Sequence, residues 1–272
     1  MPERRSPVSH RCRAALLALC AALCGCAAQP PAATADAPST IPCRWPTAPS
    51  VRLERDGLVL KVWTFAERAV FASAALPADA AYAAYRARLD AAGAIVRQPA
   101  LVVPPLSEQS QPDVWRDETL NNAAVYRGDV GTLQPITCLD ALLFAEQNAR
   151  FPQLETPTEF LASVLRRTTA EVTELTVVFG AGAELFPPKA VYGLDVVQEY
   201  RAQGWQFWYM IHNHTLQRDG DAVVLGVPAP SSSDVRFARS LADSHGLQRV
   251  RVTNGFYTFD AAVSDLASLR AR

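Results

Sequence analysis

Residues 205–211 read Trp-Gln-Phe-Trp-Tyr-Met-Ile, apolar or aromatic at every position but Gln206. A short run of this composition predicts a strand buried on both faces, which requires a sheet covered by helices on each side. The chain is therefore expected to fold as an α/β (α+β) protein around this segment. The run ends in His212-Asn213-His214. Side chains alternate along an extended strand, so the two imidazoles point one way and Asn213 points the other.

The flanking segments supply the rest of such a fold. Residues 138–150 carry Leu139, Leu142 and Leu143 at helical spacing, with Ala145 or Glu146 on or near the same face. Residues 159–167 and 172–179 are two β-rich runs joined by a short turn. Residues 194–203 read as a helix stopped by Gly204, and residues 231–245 as a helix with Ser231 or Ser232 as N-cap and Gly246 beyond its end. Residues 249–259 form two runs around Asn254-Gly255, a hairpin signal. The expected order is helix, strand, strand, helix, strand, helix, strand, strand, over a domain at 136–272.

Before it, residues 43–135 read as a smaller α+β region. Residues 51–65 alternate on both sides of Asp56-Gly57, predicting a hairpin. Residues 77–92 place Tyr82, Tyr85 and Leu89 on one helical face, with Gly93 as a stop. Residues 99–113 read as a loop, and 123–127 as a short strand. No group of chemically active residues stands out in this region.

The N-terminus has a different composition. Arg4, Arg5, Arg11 and Arg13 precede a short apolar run at 14–23, the pattern of a signal peptide over residues 1–25. Leu23-Cys24-Gly25-Cys26 resembles the lipobox of bacterial lipoproteins, with Cys26 as the acylated residue. Cys20 and Cys24 fit less well, each following a bulky leucine. Several acyl chains on Cys26 imply a stable membrane anchor. Ala27 after it, by resemblance to sorted lipoproteins, implies the outer membrane of a bacterial envelope, facing the periplasm. Residues 26–42, rich in Ala and Pro, read as a tether.

Of six cysteines, removal of the signal and acylation of Cys26 leave Cys43 and Cys138. In an oxidising envelope such a pair forms one disulfide, unless both remain separate buried thiols. A net charge of −1 without a basic cluster excludes an electrostatic footprint for nucleic acid.

Twenty residues beyond His214 lies Asp234, in Ser231-Ser232-Ser233-Asp234. Two neutral imidazoles and one carboxylate, with a fourth position left for water, match the donor set of a catalytic Zn2+ site. The pattern His212-Asn213-His214 followed by Ser231 to Asp234 resembles the H-x-H and S-x-x-D signature of the JAMM (MPN+) metalloproteases. The wording around it is most similar to the RadC-like and prokaryotic JAB-domain branch. The resemblance covers residues 136–260 and implies a JAB/MPN-like mixed sheet flanked by helices. It also implies a glutamate at the start of an early strand. Glu159, 53 residues before His212, fits that place, with Glu171 and Glu174 as rivals. Thr215 stands where relatives commonly have Pro, and residues 216–227 lengthen the segment before Ser231, reading as a small loop or hairpin beside the metal.

The resemblance implies that His212, His214 and Asp234 hold zinc, Glu159 acts as general base and Ser231 stabilises the developing oxyanion. The function so implied is an envelope-anchored zinc metallopeptidase, a hydrolase acting on a peptide or isopeptide bond. The reading from another class is a non-catalytic JAB-like lipoprotein serving as envelope scaffold or peptide-binding module. A serine hydrolase built on Ser231 to Ser233 lacks a nucleophile elbow.

Overall fold

The computed structural model describes residues 42–71, 76–92, 113–215, 217–219, 222–224 and 226–271. The expected signal peptide, Cys26, the expected tether apart from Pro42, and residues 99–112 of the loop expected at 99–113 lie outside the described residues, and Asp113, the last residue of that loop, is the first of α3. The strands and helices are β1 (Ser50–Arg55), β2 (Leu58–Ala66), α1 (Arg68–Phe71), α2 (Ala80–Ala92), α3 (Asp113–Tyr126), β3 (Thr132–Pro135) and α4 (Cys138–Arg150). They continue as β4 (Phe160–Thr168), β5 (Thr173–Ala181), α5 (Leu194–Ala202), β6 (Gln206–Asn213), β7 (Gln217–Asp219), β8 (Ala222–Val224), α6 (Ser232–His245), β9 (Arg249–Thr253) and β10 (Tyr257–Ala262).

Eight strands form one mixed sheet in the order β1-β2-β5-β4-β6-β9-β10-β3, and β7 and β8 form a separate hairpin. Only the β6–β9 pair is parallel. A parallel neighbour requires a crossover connection, and α6 is that crossover. The sheet runs through the expected boundary at 135, since β1 and β2 extend it beside β5 and β3 extends it beside β10.

Helices cover both faces, as β6 demands. On one face Leu139, Leu142, Leu143 and Phe144 of α4 pack with Tyr82, Tyr85 and Leu89 of α2 against Ala162, Val164, Tyr209 and Ile211. On the other, Val235, Ala238 and Leu241 of α6 and Val196 and Val197 of α5 pack against Leu161, Leu165, Met210 and Val252. β6 reads as a continuous apolar run because both of its faces are buried, and it also carries a bulge. Val164 lies opposite Tyr209 but Leu165 lies opposite Phe207, so Trp208 is the extra residue. The alternation reverses there, and Phe207 joins Met210 on the α6 face.

Of residues 123–127, expected as a short strand, 123–126 are instead the end of α3 and Arg127 lies in the turn after it. The inward face of α3 is set by Asp117, Asn121 and Val125, all buried and spaced by four. Two of these are polar, so the apolar periodicity that marks a helix is absent. Their partner is the C-terminal segment: Asn121 exchanges two hydrogen bonds with the Arg270 backbone at 2.8 Å each, and Asp117 pairs with the Arg270 guanidinium at 3.1 Å. Ser232 at the start of α6 also donates to the Arg270 carbonyl, at 3.3 Å. This tail therefore ties α3 to the beginning of α6.

α2 begins at Ala80 rather than at 77, because Asp79 Oδ1 accepts the Tyr82 N–H at 2.7 Å and caps the helix there. α4 begins with a reciprocal capping box between Thr137 and Asp140. The fully buried Asp140 carboxylate also takes Arg251 Nη1 at 2.8 Å and the Thr258 hydroxyl at 3.1 Å, locking α4 to β9 and β10. Cys43 and Cys138 form a disulfide across a separation of 95 residues, joining the start of the described chain to the first residue of α4. Among the described residues no helix is long and apolar enough to cross a membrane.

Closing a loop of this length stabilises by about 3–5 kcal/mol on the chain-entropy argument. Cys43→Ser is expected to lower the denaturant midpoint by a corresponding amount, without changing circular dichroism in the native range. Asp140→Ala, which leaves the buried Arg251 guanidinium with the longer contact to Asp260 at 3.6 Å and the Tyr209 ring beneath it, is expected to cost about 3–5 kcal/mol in the same unfolding measurement.

Candidate metal centre

The β4–β6 register builds one side of the centre. Leu161 lies directly opposite His212 in this antiparallel pair. By alternation Glu159, two residues before Leu161, falls on the same face as His212 and His214, while Phe160 and Asn213 fall on the other. Glu159, just before β4, is thus brought to the face of the imidazoles by the strand register.

α6 supplies the other side. Ser231 is its N-cap and Asp234 its third helical residue, in a second reciprocal capping box. The Ser231 N–H donates to Asp234 Oδ2 at 2.8 Å, the Ser231 hydroxyl donates to the same oxygen at 2.7 Å, and the Asp234 N–H returns to Ser231 Oγ at 3.2 Å. Asp234 is held in one orientation by these contacts, with Oδ2 turned to the histidines.

Three donor atoms converge. His212 Nε2 and His214 Nε2 are 3.2 Å apart, and Asp234 Oδ2 lies 3.4 Å from the first and 3.3 Å from the second. Among the described residues this is the group of His, Cys, Asp and Glu side chains that could hold a metal ion. In a tetrahedral zinc site with bonds of about 2.0–2.1 Å, neighbouring ligand atoms stand about 3.3–3.4 Å apart. The triangle matches that edge length on all three sides.

The protonation pattern points the same way. His214 Nδ1 lies 2.7 Å from the Val227 carbonyl, which can only accept, so Nδ1 carries the proton. In the neutral ring Nε2 is then a lone pair, directed at a carboxylate oxygen and at a second imidazole nitrogen. A metal ion between these atoms, or in its absence a proton on His214, would satisfy this juxtaposition. Burial alone lowers the His214 pKa, but the hydrogen bond and charge of Asp234, with contributions from Glu159 and the Val227 carbonyl, push it up to about 9. For Asp234, burial opposes ionisation, yet His212 and His214 together hold its carboxyl well below the usual range.

Val227 reaches His214 because Gly226 crosses the end of β6 at close range. A Cβ at Gly226 would stand 2.6 Å from the carbonyl oxygens of both His214 and Thr215. Only glycine allows that approach. The Asn254 amide fixes the crossing by donating to the Gly226 carbonyl at 3.0 Å. The hairpin of β7 and β8 lies between Thr215 and Gly226, where the lengthened segment reads as a small loop or hairpin.

Of the three glutamates weighed as base, Glu159 is the one at the centre. It is 9 % exposed. Burial raises its pKa, partly offset by His212 and His214; Asp234 raises it further, and a hydrogen bond from the Thr215 N–H lowers it. Glu171 is exposed in the β4–β5 turn, and Glu174 pairs with Arg167 at 2.8 Å near that same turn. Both are at the opposite end of the strands from His212. The Ser231 hydroxyl, expected to face substrate, is engaged with Asp234 and lies 2.9 Å from Ser233 Oγ.

Two residues not found from the sequence also border the centre. Glu118 of α3 is half-buried, and desolvation followed by the Asp234 charge raises its pKa, while His214 lowers it. Tyr192 packs at a tilt against Phe237 of α6, and its pKa is raised by burial and then by Asp234. Glu118 lies 94 residues before His212 and Tyr192 lies 20 before it, neither in a spacing that marks a site, and the fold brings α3 and residue 192 to α6. No protein-family model, curated protein or solved structure matches the chain.

With its pKa pushed up to about 9, His214 is expected to hold a proton at pH 7 in metal-free protein, which a metal would displace. Calorimetry of zinc uptake in buffers of different ionisation enthalpy is expected to show release of about one proton at pH 7, with affinity falling about tenfold per pH unit below the His214 pKa. The stability sign follows from a folded pKa above the unfolded value of about 6.5. In metal-free protein the His214–Asp234 contribution is complete below about 6.5 and is lost as pH rises through about 9, so the melting temperature falls across that window. Gly226→Ala, which pushes the Val227 carbonyl away from His214, is expected to weaken zinc binding by about 10–100-fold in a competition assay with a chelating dye.

Proposed function

We propose that the chain is a zinc-dependent metallopeptidase of JAMM type, held in a bacterial envelope by a lipid on Cys26 and facing the periplasm. The observation that carries this reading is the triangle of His212, His214 and Asp234, with sides of 3.2–3.4 Å, with buried Glu159 placed on the same face by the β4–β6 register. The element order from α4 to β10, helix-strand-strand-helix-strand-helix-strand-strand apart from the added β7–β8 hairpin, also supports a JAB/MPN-like domain.

His212, His214 and Asp234 would hold the ion. Zinc in such a site polarises a carbonyl oxygen and acidifies water. Glu159 takes the proton of the attacking water and delivers it to the leaving amine; its raised pKa brings it nearer to the operating pH, where a general base works best. The substrate class is a peptide or isopeptide bond, with envelope peptides such as peptidoglycan stem peptides as the favoured source. A second reading, a metal-holding envelope scaffold or peptide-binding module without turnover, is favoured by the Ser231 hydroxyl, which is turned to Asp234 and not to an open position.

Elemental analysis of the purified protein is expected to find about one equivalent of zinc, lost in His212→Ala and His214→Ala. Glu159→Gln is expected to retain the zinc and lower peptide cleavage by about 10²–10⁴-fold. A wild-type protein that neither carries nor takes up zinc sinks the metal reading. Zinc uptake without cleavage of a broad peptide library leaves the scaffold.

A further inference from the structure

Asn213 sits between the two histidine ligands, points to the opposite face of the sheet, and is fully buried. Its carboxamide spans the residue that carries the base. Asn213 Oδ1 accepts the Phe160 N–H at 2.7 Å, and Asn213 Nδ2 donates to the Thr158 carbonyl at 3.0 Å. The two bonds fix the amide orientation, because turning it over would set donor against donor and carbonyl against carbonyl. They bracket Glu159 on both sides in sequence.

The reason for a side chain here is where the strand ladder stops. β4 and β6 remain paired up to Leu161 opposite His212. Beyond it, the Phe160 N–H one residue away and the Thr158 carbonyl three residues away are buried groups that still need partners, and the Asn213 side chain extends the pairing to them. The same end of β6 reaches the Glu159 carboxylate from the metal face through the Thr215 N–H. Four consecutive residues, 212–215, therefore supply two metal ligands, a clamp on the backbone of the base and a hydrogen bond to its carboxylate.

Other contacts hold the Glu159 segment to different parts of the fold. The Glu159 N–H donates to the Leu185 carbonyl at 2.8 Å, and Gln147 of α4 donates to Thr158 Oγ1 at 2.6 Å. Neither comes from the strand that bears the histidines. The Asn213 carboxamide couples the Glu159 backbone to the metal ligands themselves, where an error of about 1 Å is enough to cost about 100-fold in rate.

We propose that Asn213 is a positioning residue that sets Glu159 relative to the metal triangle, so that the middle residue of His212-Asn213-His214 serves the base while its neighbours serve the metal. The inference rests on the reading of Glu159 as the proton acceptor beside a metal. Its test uses the full chain as wild type, Asn213→Ala, Asn213→Asp and Glu159→Gln, the aspartate retaining the acceptor for Phe160 should the alanine variant fail to fold.

In metal-free protein, hydrogen exchange at the Phe160 amide is expected to accelerate at least about tenfold in Asn213→Ala and by less in Asn213→Asp, with Val164 in mid-strand unchanged. With cobalt(II) as the probe metal, all variants are expected to bind one equivalent, and the pH midpoint of the visible spectrum is expected to move in Asn213→Ala in the direction seen for Glu159→Gln. Unchanged exchange at Phe160 overturns the clamp. A spectral midpoint that stays at the wild-type value while Glu159→Gln moves overturns the positioning role and leaves Asn213 as a strand-end support. Failure of the wild type to bind cobalt, or a Glu159→Gln midpoint equal to wild type, overturns instead the reading of the metal or of the base, and the exchange result still decides whether Asn213 holds that backbone.

Discussion

The pairing of β4 with β6 in a single register is the constraint on which the rest of the centre depends. With Leu161 opposite His212, alternation puts Glu159 and both imidazoles on one face and Phe160 and Asn213 on the other. A slip of one residue would carry Glu159 to the α4 side and destroy the arrangement. The register is held because both faces of β4 and β6 are buried, so that any slip would expose or misplace a whole row of apolar side chains. The bulge at Trp208 absorbs the mismatch elsewhere in the pair and leaves the end near the histidines regular.

Asp234 illustrates how one group serves stability and chemistry together. As the third residue of α6 it caps the helix, and the helix N-terminus favours its negative charge. Its Oδ2 is also the acidic corner of the donor triangle. The helix start orients the carboxylate, and the two histidines favour its ionised form. The same oxygen accommodates two hydrogen bonds from Ser231 and two imidazoles, an arrangement that positive charge on His214 or a metal ion would favour.

Much of the architecture was legible from residue patterns. The Asp56-Gly57 hairpin, α2, α4, the β4 and β5 pair, α5, β6, α6 and the closing hairpin all follow from periodicity and turn chemistry, with ends moved by a few residues where caps such as Asp79 intervene. α3 was misread because its inward face is built from Asp117 and Asn121, whose burial is justified only by Arg270 at the far end of the chain. β3 was missed because Thr132–Pro135 has no apolar alternation of its own and is a strand by virtue of lying against β10. The integration of β1, β2 and β3 into one sheet is likewise a matter of long-range pairing, which local patterns do not encode.

For the centre, the sequence by itself determined the donor types and their local geometry: two imidazoles made to share a face by strand alternation, and a carboxylate placed on a helix start by its cap. It also determined which cysteines were left to pair. Only the tertiary structure set Glu159 beside the imidazoles and left Glu171 and Glu174 at the other end of the sheet. The Gly226 crossing that sets the His214 tautomer, the approach of Glu118 and Tyr192, and the Asn213 clamp were decided there too. Each depends on contacts between segments far apart in the chain, whose distances are set by packing and not by the spacing of letters.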